Sequence, residues 1–211
     1  MTEKERNQTE REAVSEIIRS ADGAVIVELG AYHGEELEWI RKVGFARYLM
    51  VEADPRHAEW IREHRNLEGV EFCEFAIAAE TGMVTMHLAD NEVLRQKCSS
   101  SIRKPKEHLE HFPWCTFEQT VRVPSVTLDH LFSMYDLSRV DLMWADLQGA
   151  ERDMIAGGRE ALSRTRFLLM EADSCEMYEG QATRGELIAM LPGWEIAGEF
   201  DYNVLLKNSC A

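Results

Sequence analysis

Basic residues are scarce in this chain: Lys and Arg number 23 against 38 Asp and Glu, a formal net charge of −15 over 211 residues. A field of that sign repels a phosphate backbone, so nucleic acid is not an expected partner. Cysteine is sparse as well. Cys73, Cys98, Cys115, Cys175 and Cys210 are odd in number and far apart, with no CxxC pair and no His ladder of the zinc-site kind. That usage argues against a disulfide framework and fits a reducing, cytoplasmic compartment. No apolar run approaches the roughly 18 to 20 residues of a membrane span, and the N-terminal stretch is charged throughout, so neither a span nor a secretory leader is expected. Internal repeats are lacking too.

What is present is ordinary for a globular chain: 45% hydrophobic and 29% charged residues, over a length that favours one domain. Val14, Ile17, Ile18 and Ala21 recur at helical spacing, so residues 1–22 read as an amphipathic helix packed across one edge of the domain. As a lid or an interface, that helix could support a homodimer. Residues 23–211 then form a single domain in which strands and helices alternate. Ala24-Val25-Ile26-Val27 is a short unbroken apolar run, the mark of a strand buried on both faces. A helix from about Glu35 to Lys42, a strand Tyr48 to Val51 and a helix through Trp60 and Ile61 follow, the last opened by Asp54 as cap with Pro55 in its first turn.

A third strand is predicted around Val70 to Ile77, and Thr81-Gly82 turns into a short strand Val84 to Leu88. Residues 90–119 break the rhythm: polar, with Phe112, Trp114 and Phe117 scattered through them, they read as a substrate or lid loop that would set acceptor specificity. The alternation resumes with Val121 to Val123, a helix capped by Thr127, a strand Val140 to Ala145, a helix from about Ala150 to Leu162 and a strand Phe167 to Met170. Thr183 to Glu186 is a capping box, and Trp194 to Gly198 with Tyr202 to Leu206 read as a closing antiparallel pair. The fold class is therefore α/β, doubly wound, from right-handed βαβ units.

In such sheets ligands bind beyond the carboxyl ends of the strands, where strand order reverses. The first strand delivers Glu28-Leu29-Gly30-Ala31-Tyr32-His33-Gly34 into a helix, a Glu-x-Gly-x-x-x-Gly spacing whose glycines let backbone approach a ligand closely. It lacks the middle glycine of the dinucleotide fingerprint, which disfavours a nicotinamide cofactor. A carboxylate at Glu28 suits a cationic amino group and would repel a pyrophosphate. Glu52 ends the next strand, where an acid can accept hydrogen bonds from both ribose hydroxyls of an adenosine. Together the two acids favour S-adenosylmethionine.

From about Val25 to Asp173 the chain resembles the FkbM family of methyltransferases. Val27 to Gly34 looks like the family's first motif and Val51 to Pro55 like its ribose-binding turn. Val70 to Gly82 is similar to the stretch that supplies the adenine pocket. Val140 to Glu151, preceded by Ser125 to Asp129, is similar to its most distinctive segment, and Ser99-Ser100-Ser101 matches a Ser-Ser element of the central loop. The resemblance implies a Rossmann-like, class I methyltransferase: a mostly parallel seven-stranded sheet with a C-terminal antiparallel pair and an extra central hairpin or loop. It implies that Glu28, Gly30 and Gly34 hold the methionine end of the cofactor, with Ala31 and Tyr32 between them. Glu52 and Ala53 would meet the ribose and Phe75 and Ala76 the adenine, while Asp146 would face the reacting centre, either as base or as a cofactor-binding residue that orients the amino group. The chain departs from the family at Gln148, where members usually have Glu, and at Ala79, where they have an acid.

The implied reaction is O-methylation of a hydroxyl on a small molecule such as a sugar or natural product. A general base within hydrogen-bond reach of that hydroxyl would help. The candidates are Asp146 and His33, with His130 behind them. Asp146, Glu171 and Asp173, at neighbouring strand ends, offer the oxygen ligands that Mg²⁺ prefers, so a Mg²⁺ requirement stays open while no metal ligand is assigned. Two alternatives are carried: a silent cofactor-binding or regulatory protein of the same fold, suggested by Gln148, and an NAD-dependent oxidoreductase.

Overall fold

A computed structural model describes residues 3–90 and 98–210. The rest of the chain, including residues 91–97 of the expected 90–119 loop, lies outside the described residues. The principal sheet has seven strands: β1 (Val25–Leu29), β2 (Arg47–Val51), β3 (Glu71–Cys73), β7 (Val140–Ala145), β8 (Thr165–Glu171), β9 (Trp194–Glu199) and β10 (Asn203–Asn208). Their order is β3-β2-β1-β7-β8-β10-β9. The first five are parallel, and β10 pairs antiparallel with both β8 and β9. Val27, Leu29, Leu49, Val51, Met143 and Leu168 bury one face, and Ile26, Tyr48, Met50, Leu142, Leu169 and Leu205 bury the other. Apolar residues on both faces are what a parallel sheet covered by two helical layers demands.

The N-terminal helix α1 (Glu3–Ser20) belongs to that covering. Val14, Ile17 and Ile18 are buried against Ile26, Tyr48 and Leu142, so α1 crosses the sheet at its central strands and not along an edge. The apolar stripe expected to serve a lid or an interface is used by the chain's own core. Helices α2 (Leu37–Val43) and α3 (Pro55–His64) follow β1 and β2. Asp54 caps α3, its side chain accepting from the Arg56 amide at 2.9 Å.

Three expected elements divide differently. The single strand around Val70 to Ile77 is two: β3 joins the main sheet, and β4 (Ala76–Ile77) joins a second sheet of order β4-β6-β5. In that sheet β5 (Gly82–Asp90) and β6 (Thr116–Val126) form a long antiparallel hairpin, so the expected loop contributes strand as well as the short helix α4 (His108–His111). The helix expected from Ala150 to Leu162 is broken into α6 (Glu151–Ala156) and α7 (Arg159–Ser163) by Gly157-Gly158. A Cβ on Gly157 would lie 2.8 Å from the Ala78 carbonyl oxygen, so the break lets this turn press against the loop after β4. Helix α5 (Leu128–Met134) takes its cap from Thr127, and α8 (Arg184–Ala189) opens with Glu186 accepting from the Thr183 amide and hydroxyl at 2.8 and 2.9 Å.

Candidate active site

The parallel ladder continues past the strand ends and levels them. The amides of Gly30 and Ala31 donate to the Val51 carbonyl at 2.9 and 3.0 Å, that of Asp146 to Leu29 at 2.9 Å, and that of Glu52 to Cys73 at 3.1 Å. Strand order reverses between β1 and β7, and a crevice opens there. Gly30, at φ +82°, makes the close approach possible: a Cβ would stand 1.8 Å from the Asp146 carbonyl oxygen. The resulting cavity measures about 460 Å³, within the roughly 300–1,000 Å³ of small-molecule sites.

Glu28, Gly30, Ala31, Tyr32, Glu52, Ala53, Phe75, Ala76 and Asp146 all line this cavity. Gly34 does not: its amide closes a turn onto the Ala31 carbonyl at 2.7 Å, and it shapes the loop from behind. The carboxyl of Glu28 is buried beneath the Tyr48 hydroxyl, which donates to it. Burial pushes its pKa to about 8, and the Tyr48 bond opposes that rise. Burial likewise pushes Glu52 to about 8, against the pull of two backbone amides, Asp54 N–H on Oε1 and Tyr32 N–H on Oε2, both at 2.7 Å. Tyr32 adopts φ 50°, a left-handed conformation uncommon for a non-glycine residue, where its amide meets Glu52. The Ala53 amide also bears on this carboxyl, and with about four acceptor positions a carboxylate there keeps room for a further donor.

Across the crevice, Asp146 belongs to a polar network. Gln148 Nε2 donates to Asp146 Oδ1 at 2.7 Å and to Glu171 Oε2 at 2.9 Å. The Tyr178 hydroxyl faces Gln148 Oε1 at 2.8 Å and the Ser99 carbonyl at 2.9 Å, and Ser101 Oγ donates to the Gln148 carbonyl at 2.7 Å. Burial, reinforced by Asp146, holds Glu171 far above the carboxylate range. Asp146 is raised by burial too, but bonds from Gln148 and Glu171 pull it back. Two buried carboxyl groups bridged by one amide disfavour a second charge, so the pair resists double ionisation. The Gln148 amide thus bridges the two acids.

The other candidates stand elsewhere. The His33 ring is outside the cavity lining, sandwiched between Tyr32 and Trp60 at centroid distances of 3.9 and 4.2 Å. Burial, with His57 and Arg65 nearby, lowers its pKa to about 4. His130 is exposed at the start of α5, its Nδ1 3.2 Å from Thr81 Oγ1. Asp173 is half-buried and raised by burial, and no bond between it and Asp146 or Glu171 accompanies the Gln148 bridge.

Sequence reasoning missed Tyr48, His57, Met86, Trp144 and Tyr178. Tyr48 had a weak signal, a polar atom inside an apolar strand that needs a partner. Met86 and Tyr178 come from elements whose neighbours are remote in sequence. Ser100 and Ser101, of the Ser-Ser element, line the cavity: Ser100 Oγ donates to Asp54 Oδ2 at 2.8 Å and pins the inserted segment to the cap of α3.

Comparison with known proteins places these features in a family. The description "Methyltransferase FkbM domain" matches residues 28–203. The chain is 34% identical over 193 residues to the 2-O-methyltransferase NoeI of Sinorhizobium fredii (strain NBRC 101917 / NGR234), covering 88% of this chain and 79% of that protein. Among solved structures it is similar in fold to the methyltransferase FkbM of Methylobacillus flagellatus KT, with TM-score 0.55, 16% identity and 88% of this chain covered; the chain spans 44% of that protein's length. It is also similar to an O-methyltransferase from Bacillus cereus in complex with SAH, with TM-score 0.50, 14% identity, and coverage of 94% of this chain and 79% of that one.

Proposed function

Because the chain belongs to the FkbM methyltransferase family, we propose that its cavity binds S-adenosylmethionine along the β1 and β2 tips and methylates a hydroxyl of a small molecule, such as a sugar, held against Asp146. The observation that carries this reading is the lining of one crevice by Glu28, Glu52 and Asp146, with Phe75, Ala76 and Met86 as an apolar wall. S-adenosylmethionine supplies a methyl group already activated on a sulfonium. Glu28 accepts hydrogen bonds from the cofactor's amino group, Glu52 from the ribose hydroxyls, and the apolar wall takes the adenine.

Asp146 receives the proton of the acceptor hydroxyl as the oxygen attacks. Gln148 holds its carboxylate in place and bridges it to Glu171. Ser101 and Ile102, from the inserted segment, cover the crevice on the acceptor side and limit water. An oxygen acceptor is supported by the relative that is a 2-O-methyltransferase. The silent reading and the oxidoreductase reading are not favoured: Gln148 engages Asp146 without displacing it from the cavity, and the relatives are methyltransferases. Among the described residues no helix is long and apolar enough to cross a membrane. We place the protein in the cytoplasm on the strength of its five cysteines, every one a free thiol.

The test is transfer of isotope-labelled methyl from S-adenosylmethionine to a panel of hydroxylated sugars and natural products, with the product bond assigned by mass spectrometry. A labelled methyl ether is expected. Label on nitrogen alone, or no product although S-adenosylhomocysteine binds, would remove the proposal.

A further inference from the structure

We infer that a second site, at the edge of the inserted segment, binds a borderline divalent cation of the Zn²⁺ class through Glu107, His111 and Cys175. Each residue offers one ligand atom, and these atoms lie within 4.8 Å of one another. Thiolate, imidazole and carboxylate are the donors that Zn²⁺ combines, at distances that put the ligand atoms of a tetrahedral ion roughly 3.3–3.8 Å apart. His111 is exposed, so a rotamer change that shortens the remaining distance meets little packing. Three protein ligands leave a fourth position for water.

The placement is built by backbone and not by chance contact of long side chains. Glu107, the N-cap residue of α4, and His111, its last residue, stand four apart and therefore on one face of the turn. Cys175 lies on the loop after β8, and that loop runs alongside the inserted segment. The amides of Lys106 and His108 both donate to the Met177 carbonyl, at 2.8 and 3.1 Å, Glu107 N–H donates to Glu176 at 3.3 Å, and Glu179 N–H to Lys104 at 2.8 Å. An ion pair between Lys106 and Glu176 joins the same two segments. The entropy of bringing the ligands together is thus largely met before an ion arrives.

The consequence is mechanical. Tyr178, on the same loop, touches Gln148, and His108 packs its ring 5.4 Å from that of Tyr178. An ion held by Glu107, His111 and Cys175 would staple the inserted segment to the loop that supports the base, stiffening the acceptor side of the crevice without entering it.

The experiment titrates Co²⁺ into metal-free, reduced, full-length protein and reads the thiolate-to-cobalt charge-transfer absorption. One ion per chain is expected, displaced by Zn²⁺, with Zn²⁺ also raising the thermal unfolding midpoint. Cys175→Ser should abolish the band, and His111→Ala should weaken Co²⁺ about tenfold or more, while both variants keep the wild-type circular dichroism and metal-free unfolding midpoint. Glu107→Gln, a change on the same surface with little bearing on folding, should keep the band and loosen the ion. Absence of a band in the wild type, or a band that survives Cys175→Ser, overturns the inference. Neither outcome bears on methyl transfer, which is read separately.

Discussion

The two sides of the crevice are held by different means. On the β1–β2 side, short turns between sequential strands aim backbone amides: Glu52 is fixed by the N–H groups of Asp54 and Tyr32, each a near neighbour of the ladder. On the β7–β8 side, side chains hold one another, with Asp146, Gln148, Glu171 and Tyr178 drawn from three segments and closed over by Ser101. Backbone-held groups are insensitive to what surrounds them, whereas a side-chain network depends on every member being satisfied. The acid at the β2 tip is thus held by backbone, and the acids at the β7 and β8 tips by their neighbours' side chains.

The largest break in that comparison should come from Asp146→Asn. On the proposed role of Asp146 as base, its loss is expected to lower kcat by about 10²–10⁴, with S-adenosylhomocysteine affinity within about threefold of wild type, since Glu28 and Glu52 are untouched. Steady-state methyl transfer and calorimetry check it. Equal losses in both would show Asp146 acting through cofactor binding. Next in size, Glu52→Ala should cost about 1.5–3 kcal/mol, roughly ten- to a hundredfold in cofactor affinity. Calorimetry giving unchanged affinity would remove the ribose assignment.

A smaller and graded effect follows from pH. Burial raises Glu28 to about 8 in the free protein, so below that pH the carboxyl is mostly protonated. A cationic amino group binds the ionised form, and cofactor affinity should therefore weaken as pH falls below about 8, by at most about tenfold per unit. Glu28→Gln should bind weakly and flatten the profile. The same shift acts on stability with the opposite sign: the folded state holds more protons than the unfolded chain between about 4.5 and 8, so the cofactor-free protein should lose stability as pH rises through that window. Thermal melts of wild type and Glu28→Gln across the window decide whether Glu28 carries this.

How much was legible in the residues divides along the same line. Glu28, Gly30 and Glu52 could be placed because each sits at the end of an apolar run with its neighbour one βαβ unit away, and strand, glycine and acid are local signals. The seven-stranded sheet follows from the same alternation. Gln148 and Tyr178 could not be joined, because 30 residues and a crossover separate them and nothing local marks the pairing. The β5–β6 hairpin was half visible: Phe117, Val121 and Val123 alternate with polar residues, but the partner strand lies across an insertion with no tight turn to announce it. His33 stands outside the cavity lining for a simple reason. A histidine between two motif glycines has the right neighbours in sequence, but ring stacking on Trp60, contributed by α3, decides where it points.

The finest test concerns one hydroxyl. Tyr178 has a single proton to give and two acceptors within reach, Gln148 Oε1 and the Ser99 carbonyl, so Tyr178→Phe removes a shared bond and leaves the ring packed against His108. A buried hydrogen bond of this kind contributes about 0.5–1.5 kcal/mol, and the unfolding free energy should fall by that much. With Gln148 less constrained, Asp146 loses some orientation, and kcat should drop by a few-fold, roughly the range that about 1 kcal/mol spans. Cofactor affinity should not move. If it falls in step with kcat, the two sides of the crevice are one cooperative unit, and the difference in how they are built has no functional meaning.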